Sequence, residues 1–260
     1  MPPKEIDLHH WMAGSPAMPT VVLSHALGAS MAMWDPQLAP LTAIRQVLRY
    51  DHRGHGGSPV TPGPYSIEML ARDLIRLLDR RGLDRVSFCG LSLGGMVGIW
   101  LGANAPDRID RLVLCCTAAR MPRPEDFAAR ATVVRRDGMA AVVDAVMDRW
   151  FTPDFTAGHP QTVESIRAAF LATPPEGYAG ACEAIAEMDQ RDLLPRIKAP
   201  TLVIAAAMDQ STPPELSREI ANRIPAAKLV VVADAAHLAN VAQPDAVSAA
   251  IVDHLLQPVA

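Results

Sequence analysis

The segment Gly90-Leu91-Ser92-Leu93-Gly94 sets a serine between two glycines. It follows the apolar run 85–89 and opens a helix-like run, 95–101. A turn of this kind leaves no room for flanking side chains. The glycines let neighbouring backbone approach, and the hydroxyl is pushed outward. Helix amides just beyond the serine point toward the place where negative charge would build. The chemistry on offer is attack of a hydroxyl on a carbonyl carbon. A glycine-rich turn carrying an incidental serine has the same letters, so the partners decide.

A serine hydroxyl is a poor nucleophile at neutral pH and needs a base, itself held by an acid. Asp209 follows the apolar run 201–207, and His237 follows the run 228–232. Both stand just beyond strand-like segments, as Ser92 does, so all three could meet at one sheet edge. Taken singly, Asp209 also reads as the start of the turn before Thr212-Pro213, and His237 as a loop or capping histidine. Asp234 competes as the acid but lies too near His237 in the chain. The order Ser, Asp, His is neither the chymotrypsin nor the subtilisin order. Two amides are expected to stabilise the oxyanion: that of Leu93, and that of Leu27 in the loop Ser24-His25-Ala26-Leu27-Gly28. His25 reads as a prop for that loop. The run Asp51-His52-Arg53-Gly54-His55-Gly56-Gly57-Ser58 contains metal-ligand residue types, yet its glycines and Arg53 fit a rigid, hydrogen-bonded turn. No metalloprotease, phosphate-loop or dinucleotide motif occurs, so neither metal nor organic cofactor is expected.

The elements that must position these residues are short, unbroken apolar runs: 20–24, 46–50, 85–89, 111–115, 201–205 and 228–232. Such runs predict strands covered on both faces, as in a parallel sheet. Helical stretches alternate with them. In residues 67–81, Ile67, Leu70, Leu74, Leu77 and Leu78 share one side, with Ser66 as cap and Gly82 as stop. The alternation breaks at residues 120–193, where proline and glycine punctuate helical runs such as 139–150 and 161–171. This predicts a helical lid inserted into an α/β core, with 1–119 and 194–260 as the two parts of the core.

The 260 residues suffice for one large α/β domain with an insertion. Half are hydrophobic and 20% charged, as in ordinary globular proteins. A net charge of −4 without a basic stripe argues against nucleic acid as a partner. No apolar run nears the roughly 20 residues that span a bilayer, so no membrane partner is expected. The start, Met1-Pro2-Pro3-Lys4-Glu5-Ile6-Asp7, lacks the features of a secretory signal. Cys89, Cys115, Cys116 and Cys182 form no paired ligand motif; three of them lie in apolar strand-like runs and read as small buried hydrophobes in a reducing compartment, hence the cytoplasm.

Together the loop 24–28, the turn 50–58, the elbow, Asp209 and His237 resemble the α/β-hydrolase superfamily over nearly the whole chain. That resemblance implies an eight-stranded-type, mostly parallel sheet, with the lid entering after the sixth strand. A narrower likeness, to 3-oxoadipate enol-lactone hydrolases, rests on Ser24-His25-Ala26-Leu27-Gly28 with Met33-Trp34, on 48–56, and on 114–120. Arg149-Trp150-Phe151-Thr152 and Glu176-Gly177-Tyr178-Ala179 in the lid extend it. The chain departs from that pattern at Phe127, where a tryptophan is expected, at Cys116 in place of asparagine, and at Ala206 in place of glycine. The resemblance implies opening of an unsaturated lactone that carries a carboxylate. A net acidic protein needs a local cation for such a substrate, and Arg130 or Arg135 is expected to supply it, with Trp34 and Trp150 shaping the apolar wall. Alternatives on the same fold are a general carboxylesterase, a cofactor-free perhydrolase, or a non-catalytic receptor.

Overall fold

The computed structural model describes residues 5–258. Met1–Lys4, on which the reading of the N-terminus partly rested, lie outside them. Seven strands form one sheet: β1 (His10–Ala13), β2 (Thr20–Ser24), β3 (Gln46–Tyr50), β4 (Val86–Leu91), β5 (Ile109–Cys115), β6 (Thr201–Ala206) and β7 (Lys228–Val232). Their order is β1-β3-β2-β4-β5-β6-β7, with β1 antiparallel to β3 and every other pair parallel. β2, β4 and β6 are buried along their whole length. That is why they read as continuous apolar runs and not as alternating ones.

The sheet has seven strands among the described residues, not eight. The backbone ahead of β1 is spent elsewhere: the His9 amide donates to Ser58 Oγ at 2.9 Å, and its carbonyl accepts from the Asp51 amide at 2.9 Å. The helical insertion therefore follows β5 of seven.

The helices flanking the sheet are α1 (Asp35–Thr42), α2 (Ile67–Arg80) and α3 (Leu93–Asn104). α2 is amphipathic as its spacing predicts. Ser66 Oγ accepts from the Met69 amide at its start, and Gly82, at φ +65°, follows its end. Between β5 and β6 come α4 (Pro124–Asp137), α5 (Val143–Trp150), α6 (Pro153–Gly158), α7 (Pro160–Leu171) and α8 (Pro175–Glu187), without a strand. The run 139–150 is not one helix. Met139–Ala141 form a 3-10 turn, and Val142, at ψ −9°, breaks the path before α5. The chain closes with α9 (Pro214–Arg223), α10 (Ala239–Ala242) and α11 (Pro244–Leu256). No helix among the described residues is long and apolar enough to cross a membrane. All four cysteines are buried and unbonded.

Candidate active site

β4 delivers Ser92 into a backbone conformation that L-residues rarely adopt, φ 55° and ψ −114°. The surroundings over-determine that strain. The Ser92 amide donates to Cys115 O at 3.0 Å, and Thr117 Oγ1 donates to Ser92 O at 2.7 Å. A Cβ on Gly90 would stand 2.2 Å from Gly94 O, and one on Gly94 would stand 2.3 Å from Ser24 O. The turn is thus closed by backbone on both sides, and α3 starts immediately, at Leu93.

β6 ends at Ala206, and the loop after it turns the Asp209 carboxylate inward. Asp209 Oδ1 accepts from the amides of Ser211 (2.8 Å) and Thr212 (2.9 Å), while Oδ2 accepts from Thr212 Oγ1 (2.7 Å). Asp209 Oδ2 also lies 2.8 Å from His237 Nδ1. Burial would raise this acid's pKa, but the His237 imidazole and the Thr212 donors outweigh it and hold the carboxyl below its ordinary value. Nδ1 therefore carries the proton toward Asp209 and leaves Nε2 free to act as a base. Asp234, the competing acid, is exposed and occupies a turn at φ 53°. Ser92, Asp209 and His237 are 7%, 3% and 3% exposed.

Ser92 and His237 line one cavity of about 380 Å³ together with Leu27, Met96, Phe127, Arg130, Arg149, Trp150 and Tyr178. No hydrogen bond joins Ser92 to His237 among the described residues. Such a bond commonly tightens only when substrate arrives. The amides of Leu27 and Leu93 have no acceptor among the described residues; Leu27 lines the cavity and Leu93 directly follows Ser92, which suits both amides to a transient oxyanion.

Behind Leu27 lies a layer of buried imidazoles. His25 Nδ1 donates to Ala26 O (2.7 Å), and its Nε2 accepts from the His52 amide (2.9 Å). His55 Nδ1 donates to Arg53 O (3.1 Å), and its Nε2 accepts from the Gly28 amide (3.0 Å). The His52 ring meets the Ser24 hydroxyl instead, Nε2 to Oγ at 3.0 Å. Burial pushes all three imidazoles down, His55 to about 3, so they are neutral rings, two of which hold backbone. Asp51 anchors the adjoining turn through the amides of Met31 (2.7 Å) and Gly57 (2.9 Å). Among the described residues no group of three or more histidine, cysteine, aspartate or glutamate side chains could hold a metal ion.

Two expected wall residues are not in the cavity. Trp34 is wholly buried: the 3-10 turn Met31–Trp34, capped by Ser30, turns its ring into the core. Arg135 faces the outside of α4, where it binds Glu176 (2.8 Å) and Glu183 of α8, and Glu176 in turn accepts from the Gly63 amide (2.9 Å). Arg135 ties helices together and is not free to meet a ligand. Arg130 and Trp150 do line the cavity. The Arg130 guanidinium sits 4.8 Å over the Phe127 ring and interacts with the Tyr178 phenol, and Trp150 meets Phe170 edge-on at 5.7 Å. Thr117, Thr212 and Tyr178 figure in the sequence reading only as members of a turn or of resembling runs, with no role assigned at the site. Only Thr212 left a signal, as a small polar residue three places after an aspartate at a turn. Of the three departures, Phe127 lines the cavity, while Cys116 (φ 42°) and Ala206 are buried and do not line it.

A family model described as the alpha/beta hydrolase fold matches residues 19–244. The chain is 36% identical over 248 residues to 3-oxoadipate enol-lactonase 2 of Acinetobacter baylyi, covering 95% of this chain and 92% of that one. It is 34% identical over 257 residues to a protein of Stutzerimonas stutzeri provisionally named carbamate hydrolase RutD, covering 96% of each. Among solved structures, the enol-lactonase from Burkholderia xenovorans LB400 superposes with a TM-score of 0.95 at 43% identity, covering 97% of each chain. With its parallel sheet, strained serine turn and strand-end acid and histidine, the chain belongs to the alpha/beta hydrolase fold family.

Proposed function

We propose that this ester hydrolase opens 3-oxoadipate enol-lactone to 3-oxoadipate through an acyl-enzyme. Ser92 would attack the lactone carbonyl while His237 Nε2 takes its proton and Asp209 steadies the resulting imidazolium. The Leu27 and Leu93 amides would hold the oxyanion, where loss of one donor typically costs about 100- to 1000-fold in rate. Collapse of the tetrahedral adduct would expel an enolate, which becomes a ketone on protonation. Water, deprotonated by His237, would then release the second carboxylate from Ser92.

One observation carries the choice of an anionic substrate: Arg130 stands on the cavity wall with no carboxylate partner within ion-pair distance among the described residues. A desolvated guanidinium of this kind favours a carboxylate ligand. The likeness to two enol-lactonases supports the same reading. The RutD relative supports a second, cleavage of a carbamate by the same serine.

The test follows ring opening of the enol-lactone beside a neutral p-nitrophenyl ester and a carbamate. Ser92→Ala is expected to lower kcat about 10⁴-fold or more. Arg130→Gln is expected to raise KM for the lactone about tenfold, and by less for the neutral ester. Equal losses on both substrates would remove Arg130 from carboxylate recognition. Faster turnover of the carbamate than of the lactone would displace the first reading.

A further inference from the structure

The eight arginines between residues 120 and 193 divide into two groups. Arg120, Arg123, Arg135, Arg136, Arg167 and Arg191 each have a carboxylate within 4.0 Å. Arg130 and Arg149 have none among the described residues, and both line the cavity that holds Ser92 and His237. Within this segment, unneutralised guanidiniums are thus confined to the cavity, where a ligand could neutralise them. The other six, of which only Arg123 also borders the cavity, are each answered by a carboxylate of the protein itself.

Arg149 differs from Arg130 in its anchorage. Arg130 is braced by side chains, Phe127 and Tyr178. Arg149 is braced by backbone at the end of α5, where its carbonyl accepts from the His237 amide at 3.5 Å and the Trp150 carbonyl accepts from the Leu238 amide at 3.2 Å. The base of its side chain is therefore fixed against the loop that carries the histidine. Two cations reach the cavity from different helices, one from α4 and one beside His237.

We infer that Arg149 is a second carboxylate receptor, so that the cavity binds linear dicarboxylates by both ends. The inference rests on the lactone reading in one respect: hydrolysis of a lactone that already carries one carboxylate leaves a product with two. The bond made is between water oxygen and the acyl carbon, and the bond broken is the Ser92 ester. The new carboxylate forms at the serine, beneath His237. A cation next to that histidine would hold the nascent anion, and Arg130 would keep the one that entered with the substrate. Dicarboxylates should accordingly act as product-like inhibitors, and each cation should account for part of the affinity.

The experiment measures competitive inhibition of neutral p-nitrophenyl ester hydrolysis by adipate and by hexanoate, which share six carbons and differ by one carboxylate. The wild-type inhibition constant is expected to be at least about tenfold lower for adipate. In Arg149→Gln that ratio should fall to about twofold, and Arg149→Lys should restore part of it. Comparing the two inhibitors within each variant cancels any general loss of activity or folding. A wild type that does not distinguish adipate from hexanoate overturns the proposal, as does an Arg149→Gln variant that keeps the wild-type ratio. Enol-lactone turnover is measured separately. Its absence alongside Arg149-dependent adipate binding would defeat the lactone reading and spare the second receptor, whereas rapid lactone turnover with an unchanged ratio would do the reverse.

Discussion

The cavity has a floor and a roof built on different principles. Its floor is backbone: Ser92 at a strained φ, Gly90 and Gly94 packed against carbonyl groups, and a loop at Leu27 held by neutral imidazoles. Its roof is side chain: Phe127, Arg130, Trp150 and Tyr178 projecting from three separate helices. Where the two meet, contact is again backbone, since a Cβ on Gly177 would stand 2.0 Å from Gly54 O. The contrast teaches that reactivity here is specified by chain path, which tolerates little, and selectivity by side chains that can be exchanged without rerouting the chain.

The sharpest way to break the comparison is Gly94→Ala on the floor. Its methyl would meet the Ser24 carbonyl at 2.3 Å, so backbone must move. We expect kcat to fall at least about 100-fold on every ester, with about 2 kcal/mol of stability lost, read from steady-state rates and thermal melting. An active, stable variant would show that the floor is softer than its contacts imply.

Thr212→Val probes the junction between path and side chain. It removes one of three donors to Asp209 from loop 211–212 and should lower kcat about tenfold while leaving KM near its wild-type value. Because the folded-state pKa of Asp209 lies below its ordinary 3.8, the acid contributes stability above that value, and the contribution fades as pH falls through the lower folded pKa. The variant should show a smaller difference in unfolding free energy between pH 7 and the acid side of 3.8, followed by denaturant titration.

The smallest effect is expected on the outside of the roof. Arg135→Gln cuts the links to Glu176 and Glu183, which are partly solvated, so about 1 kcal/mol or less should be lost, and less still at high salt. Its kcat/KM should stay within about twofold of wild type on charged and neutral esters alike. A selective loss on the charged ester would return Arg135 to the substrate.

The same division explains what could be read from the sequence. The floor was legible because chain path leaves marks: glycine at positions 90 and 94, apolar runs ending two to five residues before Ser92, Asp209 and His237, and a serine capping α2. The roof was less so. Arg130 and Arg135 lie five residues apart on α4 and look equivalent in one dimension, yet helix rotation sends one to the cavity and the other to the acidic face of α8. Trp34 was expected on the wall together with Trp150, whereas the turn after Ser30 points it into the core. The break at Val142 left no proline or glycine inside the helical run. β1, only four residues long and half-exposed, offered too short an apolar pattern to notice.

The pair of backbone hydrogen bonds from residues 237 and 238 to the end of α5 has a mechanical consequence. Swinging that helix outward would require letting go of the imidazole's own peptide, so at this corner opening the enclosure and disarming the base are one motion. Exposed Arg123 and Asp126 border the same cavity as the loop 210–213, and among the described residues no hydrogen bond ties the two together, so parting them would leave the base in place.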